Sequence, residues 1–279
     1  PGSSSSGNTL RFMAMDTGVV LRDVPLGTHG LEAWAFRPGM LEMAVSDSSG
    51  TIEILDIATC AVRTRLPSHR GISWLQYTRD GRGLIAASPD GDVRVWNASV
   101  TAMPLLVAPP RYEHGYGVAI SPDGHAVARA GWGCVSVWDA RSSAICWRRF
   151  ISRRFLRAVT FLANGTQIAV AGQGPQIFLL DARTGQTLRS LEIPDAQITF
   201  SLKASADAQM LLAALDTGEV RIIDLPTGHA SFIGRHASPA TCCAISPDGR
   251  IAASGSGNGL PGDGVGRTCS AGATDSRPR

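Results

Sequence analysis

Lysine is almost missing from this 279-residue chain: of its 26 basic residues, only Lys203 is Lys. Arg carries the rest, which reads first as coding bias toward GC-rich codons and second as a supply of planar forks for bidentate anion recognition. Charged residues make up 18% and hydrophobic ones 44%, enough apolar material for a large core, but it comes in short pieces rather than long helical stripes. No apolar run approaches the 18 residues of a membrane span. The opening PGSSSSGNTLRFMAMD lacks the charged region and apolar stretch of a signal peptide, so the chain reads as soluble. Its start at Pro1 rather than Met is expected of a processed chain or of a piece of something longer. Cysteines at 60, 134, 146, 242, 243 and 269 form no CxxC pair, and the six histidines make no metal-ligand spacing with them. That leaves no zinc site and too few thiols for a disulfide scaffold, and it favours a reducing, cytoplasmic setting. HExxH, GxSxG and a phosphate-loop Lys are also missing, so neither catalytic residues nor a cofactor or metal are expected.

What the chain has is a period. Asp16, Asp56, Asn97, Asp139, Asp181 and Asp224 stand 40, 41, 42, 42 and 43 residues apart. Five of them close short alternating segments, TIEILD, DVRVWN, CVSVWD, QIFLLD and EVRIID, and alternation of period two is a strand signal. A repeat of this length indicates an all-β ring of four-stranded sheets. Each unit carries a polar turn, clearest as SPDG at Ser121 to Gly124 and Ser246 to Gly249 and as TRDG at Thr78 to Gly81, with a looser SAD at Ser205 to Asp207. Pro presets φ and Gly accepts positive φ, so these are turns with a mechanism. A second, Gly-centred turn recurs at Gly50, Gly91, Gly133, Gly174 and Gly218, where two antiparallel strands join tightly.

SPDG, then a small apolar strand, then VSVWDARSS or QIFLLDARTG, resembles the WD-repeat family of β-propellers over residues 10 to 256. The resemblance implies a β-propeller of five full units plus a split sixth blade. In that blade the N-terminal strand ending at Asp16 completes Ala230 to Ser254; the alternative is an open fragment of a seven-bladed propeller. Residues 1–9 are expected as a disordered leader and the Gly-rich 257–279 as a disordered tail, native or altered in reading frame. The resemblance also implies a blade network in which a His is held by a turn Asp, a strand Ser and the Trp. Its candidates are His69, Ser88, Asp90 and Trp96 in one repeat, with Trp138, Asp139 and His236 as members in others.

Three further patterns yield little chemistry. Gly257, Gly259 and Gly262 spell GxGxxG without the strand before and helix after that a dinucleotide needs. The sequons at Asn97 and Asn164 occupy a strand-closing and a turn position. His69, Ser88 and Asp90 have the residue types of a nucleophilic triad, but they match the structural network position by position. The more informative cluster is WRRFISRRFLR, which sets Arg148, Arg149, Arg153, Arg154 and Arg157 among Phe150 and Phe155, across an outer strand and the loop leading to the next inner strand. In the family, such loops border a face that binds peptides. Arg148, Arg149, Arg153, Arg154, Phe155 and Arg157 are therefore the partner-binding candidates, suited to acidic or phosphorylated peptides through bidentate hydrogen bonds and stacking. The function expected is a noncatalytic protein-protein interaction scaffold. A propeller enzyme or small-ligand binder using the central channel, and a nucleic-acid surface on the Arg cluster, are the alternatives.

Overall fold

The computed structural model describes residues 9–13, 20–25, 31–47, 50–59, 61–67, 72, 74–88, 92–97, 105–107, 115–245 and 252–256. They belong to two compact units, Pro1–Leu106 and Val107–Arg279. Every regular element among them is a strand. In the first unit β1 (Thr9–Met13) pairs antiparallel with β2 (Val20–Pro25). A four-stranded antiparallel sheet follows in the order β3 (Leu31–Phe36), β4 (Glu42–Asp47), β5 (Thr51–Asp56) and β6 (Val62–Pro67). The pattern repeats with β7 (Trp74–Tyr77), β8 (Gly83–Ala87), β9 (Val93–Asn97) and β10 (Leu105–Val107), the unit boundary falling inside β10.

The second unit begins with β11 (Gly115–Ile120), β12 (Ala126–Asp139), β13 (Ile145–Phe161), β14 (Gln167–Gly172), β15 (Gln176–Asp181) and β16 (Thr187–Glu192), all in one hydrogen-bonded order. Then come a four-stranded sheet, β17 (Thr199–Ala204), β18 (Met210–Leu215), β19 (Glu219–Asp224) and β20 (Ala230–Arg235), and the pair β21 (Ala240–Ile245) and β22 (Ala252–Ser256).

The long strands β12 and β13 hide the same four-stranded plan. A straight strand of the 14 residues in β12 would hold its ends about 45 Å apart. Yet Ala140 N–H, just past one end, donates to His125 O, just before the other, at 2.8 Å. β12 therefore doubles back on itself, and it does so at Trp132–Gly133, where Gly133 has φ 66°. A Cβ there would sit 2.0 Å from the Ser152 carbonyl oxygen, so only Gly fits this tip. β13 first pairs with the returning half of β12, from Trp138↔Ile145 to Cys134↔Phe150, and then with β14, from Leu156↔Gly172 to Phe161↔Ile168. It leaves one sheet as its outer strand and enters the next as its inner strand. The loop expected to lead from the outer strand to the next inner strand is thus corrected: the chain stays in strand from Ile145 to Phe161, held midway by the Trp132↔Phe155 pairing.

The periodic Asp now has a physical role. At Asp56, Asp139, Asp181 and Asp224 one carboxylate oxygen accepts the backbone N–H three residues on, from Thr59, Ser142, Thr184 and Thr227, at 2.7 to 2.8 Å. The backbone N–H of each Asp closes the same turn onto the residue five positions later. Hydrogen bonds to the carboxylate hold all four carboxyls below the usual carboxylate range, led by the backbone N–H at Asp56 and Asp139 and by the hydroxyls of Thr184 and Thr227 at Asp181 and Asp224. The other turn repeats a different device. The hydroxyls of Thr78, Ser121 and Ser205 each donate to the carboxylate two residues on, Asp80, Asp123 and Asp207, and each accepts the backbone N–H five residues on.

Packing follows the same order. The second strands β14, QIAVAG, and β18, MLLAAL, are almost wholly apolar and are buried along nearly their whole length. Such runs belong to strands covered on both faces. Ala169, Ala171, Ile177 and Leu179 pack against Leu202, Leu211, Ala213 and Ile223 of the next sheet. Ala119, Ala128, Val135 and Val137 likewise meet Leu156, Phe161, Ile168 and Leu180. Two side chains at one register, Trp147 and Arg189, each eight residues past a strand-closing Asp, latch neighbouring sheets. Trp147 Nε1 donates to Ala182 O at 2.8 Å, and an Arg189 amino group donates to Leu225 O at 2.9 Å.

Candidate functional site

The WRRFISRRFLR segment lies wholly in β13, and its five Arg residues have different surroundings. Arg148 is exposed and its guanidinium donates to Cys134 Sγ at 3.8 Å; Arg149 reaches across to Thr184 O at 3.3 Å. Both side chains thus serve, in part, to hold the outer part of the strand. Arg153 and Arg154 are exposed at the crossing between sheets. The Arg154 side chain lies over the Gly174 turn, where a Cβ would meet its terminal nitrogen at 2.9 Å. Arg157, on the inner half of β13, is the one that points among rings: its guanidinium carbon is 5.4 Å from the Tyr116 ring centre and 4.7 Å from that of Phe200.

That arrangement follows from register. Tyr116, Arg157 and Phe200 each stand five residues before the first turn residue of their units, Ser121, Leu162 and Ser205. They therefore occupy one position on three consecutive inner strands. Gly117 lets β11 approach: a Cβ on it would lie 2.4 Å from Arg157 O. Phe155 joins the row edge-on to Tyr116, with centres 5.7 Å apart, and Trp132 at the β12 tip leans against Phe155 with centres 3.9 Å apart and planes tilted by 55°. The result is a continuous row, Trp132, Phe155, Tyr116, Arg157, Phe200. Trp132 is 55% and Tyr116 44% exposed, so the row forms an open ledge rather than a core. Burial between the rings lowers the Arg157 pKa from its ordinary value. Of these five, the sequence had singled out only Phe155 and Arg157. The signal for Tyr116 and Phe200 was their shared offset from the turns, visible only once the inner strands are aligned.

The blade-network candidates are split. His69 and Asp90 lie outside the described residues. Ser88 and Trp96 are buried, Ser88 with its N–H on Asp92 O at 3.0 Å and Trp96 without an acceptor for its indole N–H among the described residues. Trp138 is buried, and Asp139 accepts from Ser142 and Arg141 in its turn. His236 Nε2 lies 2.8 Å from the hydroxyl of Ser254. Ser254 had not been singled out; its signal was spacing, 18 residues after His236 as Ser88 is 19 after His69.

An ionic cluster in the first unit was not foreseen either. Arg37 and Arg63 both meet the buried Glu42 carboxylate at 2.8 Å, and Arg63 also pairs with Asp56. Arg37 Nε donates to Gly81 O at 2.8 Å, tying two turns together. The Thr59 N–H and then Arg63 bring the Asp56 pKa down to about 2. Every charge here has a partner, so the cluster is structural. At the far end of the second unit's strands, a groove of about 550 Å³ lies between the turns carrying Asn164 and Asp207, floored by Leu162, Leu179 and Leu225. Its carboxylate, Asp207, is held by Ser205. Among the described residues, no three His, Cys, Asp or Glu side chains come together as metal ligands, and no helix is long and apolar enough to cross a membrane.

Comparison with known proteins adds likenesses to WD-repeat proteins. The description "WD domain, G-beta repeat" matches residues 60–97 and 228–260. "Transcription factor unc-37" of Caenorhabditis elegans is 27% identical over 142 residues, 47% of this chain and 23% of the relative. "WD repeat-containing protein 90" of Mus musculus is 27% identical over 263 residues, 86% of this chain and 14% of the relative. "Protein SLOW WALKER 1" of Arabidopsis thaliana is 27% identical over 234 residues, 81% of this chain and 44% of the relative. The aligned part is thus less than half the length of each of these relatives.

Proposed function

We propose that this chain, which carries WD40 repeats, is a noncatalytic scaffold that presents the ledge and the Arg residues of β13 to partner proteins, through acidic or phosphorylated peptides. The observation that carries the reading is the exposure of Arg153 and Arg154 beside an open aromatic row. Guanidinium forks pair bidentately with carboxylate and phosphate, and stacked rings supply apolar contact at low entropic cost. The sparse cysteines, six in 279 residues, support a reducing, cytoplasmic setting. For the architecture, we read five full repeats and a sixth shared between the ends. The antiparallel pairs β1–β2 and β21–β22 each amount to half of a four-stranded sheet, which supports this count.

Affinity capture from a cell extract, with the wild-type chain and an Arg153→Ala/Arg154→Ala variant side by side, tests the function. Partners that are recovered by the wild type and lost with the variant are the expected result. Identical partners on both, or no specific partner together with turnover of a small substrate, would overturn it.

A further inference from the structure

Arg157 differs from the other charged residues of its unit. It is drawn in among rings, so its guanidinium has lost part of its hydration, yet no carboxylate or other hydrogen-bond acceptor meets it among the described residues. Partly desolvated charges are ordinarily paired. Tyr116 and Phe200 hold it in place and turn it from a flexible surface side chain into a fixed fork. Beside it runs the open ledge of Trp132 tilted against Phe155, whose position is set by the β12 tip pressed against Ser152. A fixed, unpaired cation next to an exposed aromatic surface has the chemistry of a two-part recognition site.

Resting on the reading of this face as partner-binding, we propose that Arg157 anchors the side-chain carboxylate of an Asp or Glu in a partner peptide, while the Trp132–Phe155 ledge takes a large apolar side chain next to it. A carboxylate is favoured over a phosphomonoester by charge. One guanidinium is wedged at this point, and the nearest exposed Arg in sequence, Arg154, lies over the Gly174 turn. A single positive charge matches a single negative one, and a planar fork matches a planar pair of oxygens. Arg157 would thus set which acidic peptides are accepted, whereas Arg153 and Arg154 attract acidic segments in general.

The test is fluorescence anisotropy with labelled peptides of sequence Ser-Glu-Glu-Trp-Gly, the same with Ala for Trp, and the same with phosphoserine for the second Glu. Wild type, Arg157→Lys, Trp132→Ala and Arg153→Ala/Arg154→Ala are compared at two salt concentrations. Arg157→Lys keeps the charge and loses the fork, and it is expected to weaken the first peptide about tenfold or more. Trp132→Ala should weaken the first peptide yet leave the Ala peptide unchanged. Should Arg157→Lys fail to fold, Trp132 sits on an exposed hairpin tip and its pairing with the peptide Trp still decides. Binding lost in the Arg153/Arg154 variant but untouched by both Arg157→Lys and Trp132→Ala would overturn this inference and leave the scaffold reading standing. No binding of any peptide by the wild type would overturn the peptide-recognition reading of the face and this inference with it. Tighter binding of the phosphoserine peptide through Arg157 would overturn the carboxylate assignment.

Discussion

β3 and the inner half of β13 hold the same place in their sheets, but they meet different surroundings. Counted back from the first turn residue, Arg37 in one and Leu162 in the other, Trp34 corresponds to Val159 and Phe36 to Phe161. Val159 and Phe161 are each 6% exposed, packed against Ala119, Ala128 and Val135 of the sheet before them. Trp34 is 47% and Phe36 52% exposed, resting edge-on against each other. The difference teaches that an inner strand of this fold is stabilised by the sheet that precedes it. Local sequence is apolar in both places, and it is the neighbour that converts it into core.

Substitutions at the two sites break or sharpen the contrast. Phe161→Ala should cost about 3–5 kcal/mol, the range for a large buried aromatic, while Trp34→Ser should stay within about 0.5 kcal/mol as an exposed change. Urea unfolding followed by segment-resolved hydrogen exchange reads both. A cost at Trp34 as large as that at Phe161 would contradict the contrast between the two strands.

Acid probes the turns rather than the core. The strand-closing and turn carboxylates have depressed pKa values, Asp56 reaching about 2. A depressed carboxylate contributes stability that is fully present above its unfolded pKa of about 4 and is lost as pH falls through the folded value. The melting temperature should therefore decline between about pH 4 and about pH 2, and Asp56→Asn should flatten its share of that decline. A melting temperature level across this window would contradict the turn assignment.

One further expected effect, far smaller than that at Phe161, is a gain. Ala208 holds the turn position that Gly81, Gly124 and Gly165 hold in other units, at φ 56°. Left-handed backbone costs a non-Gly residue about 1 kcal/mol, so Ala208→Gly should raise stability by up to about that amount. Unchanged or lower stability in thermal melts would show the strain to be relieved elsewhere.

What was legible in the sequence was what repeats locally. The Asp period, the SPDG turns and the alternating strands each depend on residues a few positions apart, and among the described residues the structure places strands and turns there; Asp16, Gly91 and the turn from Ser246 to Gly249 lie outside them. The doubled-back β12 was half legible, since Gly133 marked the turn but not how tightly Ser152 would press on it. Contacts made across 35 to 45 residues were not legible one at a time. Trp147 reaching Ala182, Arg189 reaching Leu225, and Arg157 wedged between Tyr116 and Phe200 all need neighbouring repeats laid side by side. Reading the Arg run as one cluster missed that the strand sends its members to different tasks, two toward packing, two toward solvent and one among rings. Glu42 gave no signal, because its partners Arg37 and Arg63 come together only when β4 sits between the turn and β6.

The central claim is that partners meet this protein at the ledge and Arg residues of β13. Hydrogen exchange across the second unit of the intact chain, with and without a captured partner, tests it most directly. The account predicts new protection at residues 115–118, 131–134 and 152–158, with little change at the opposite turns 121–125 and 163–166. Protection confined to those opposite turns, with the Trp132 tip and the Arg153–Arg157 segment unchanged, would contradict it.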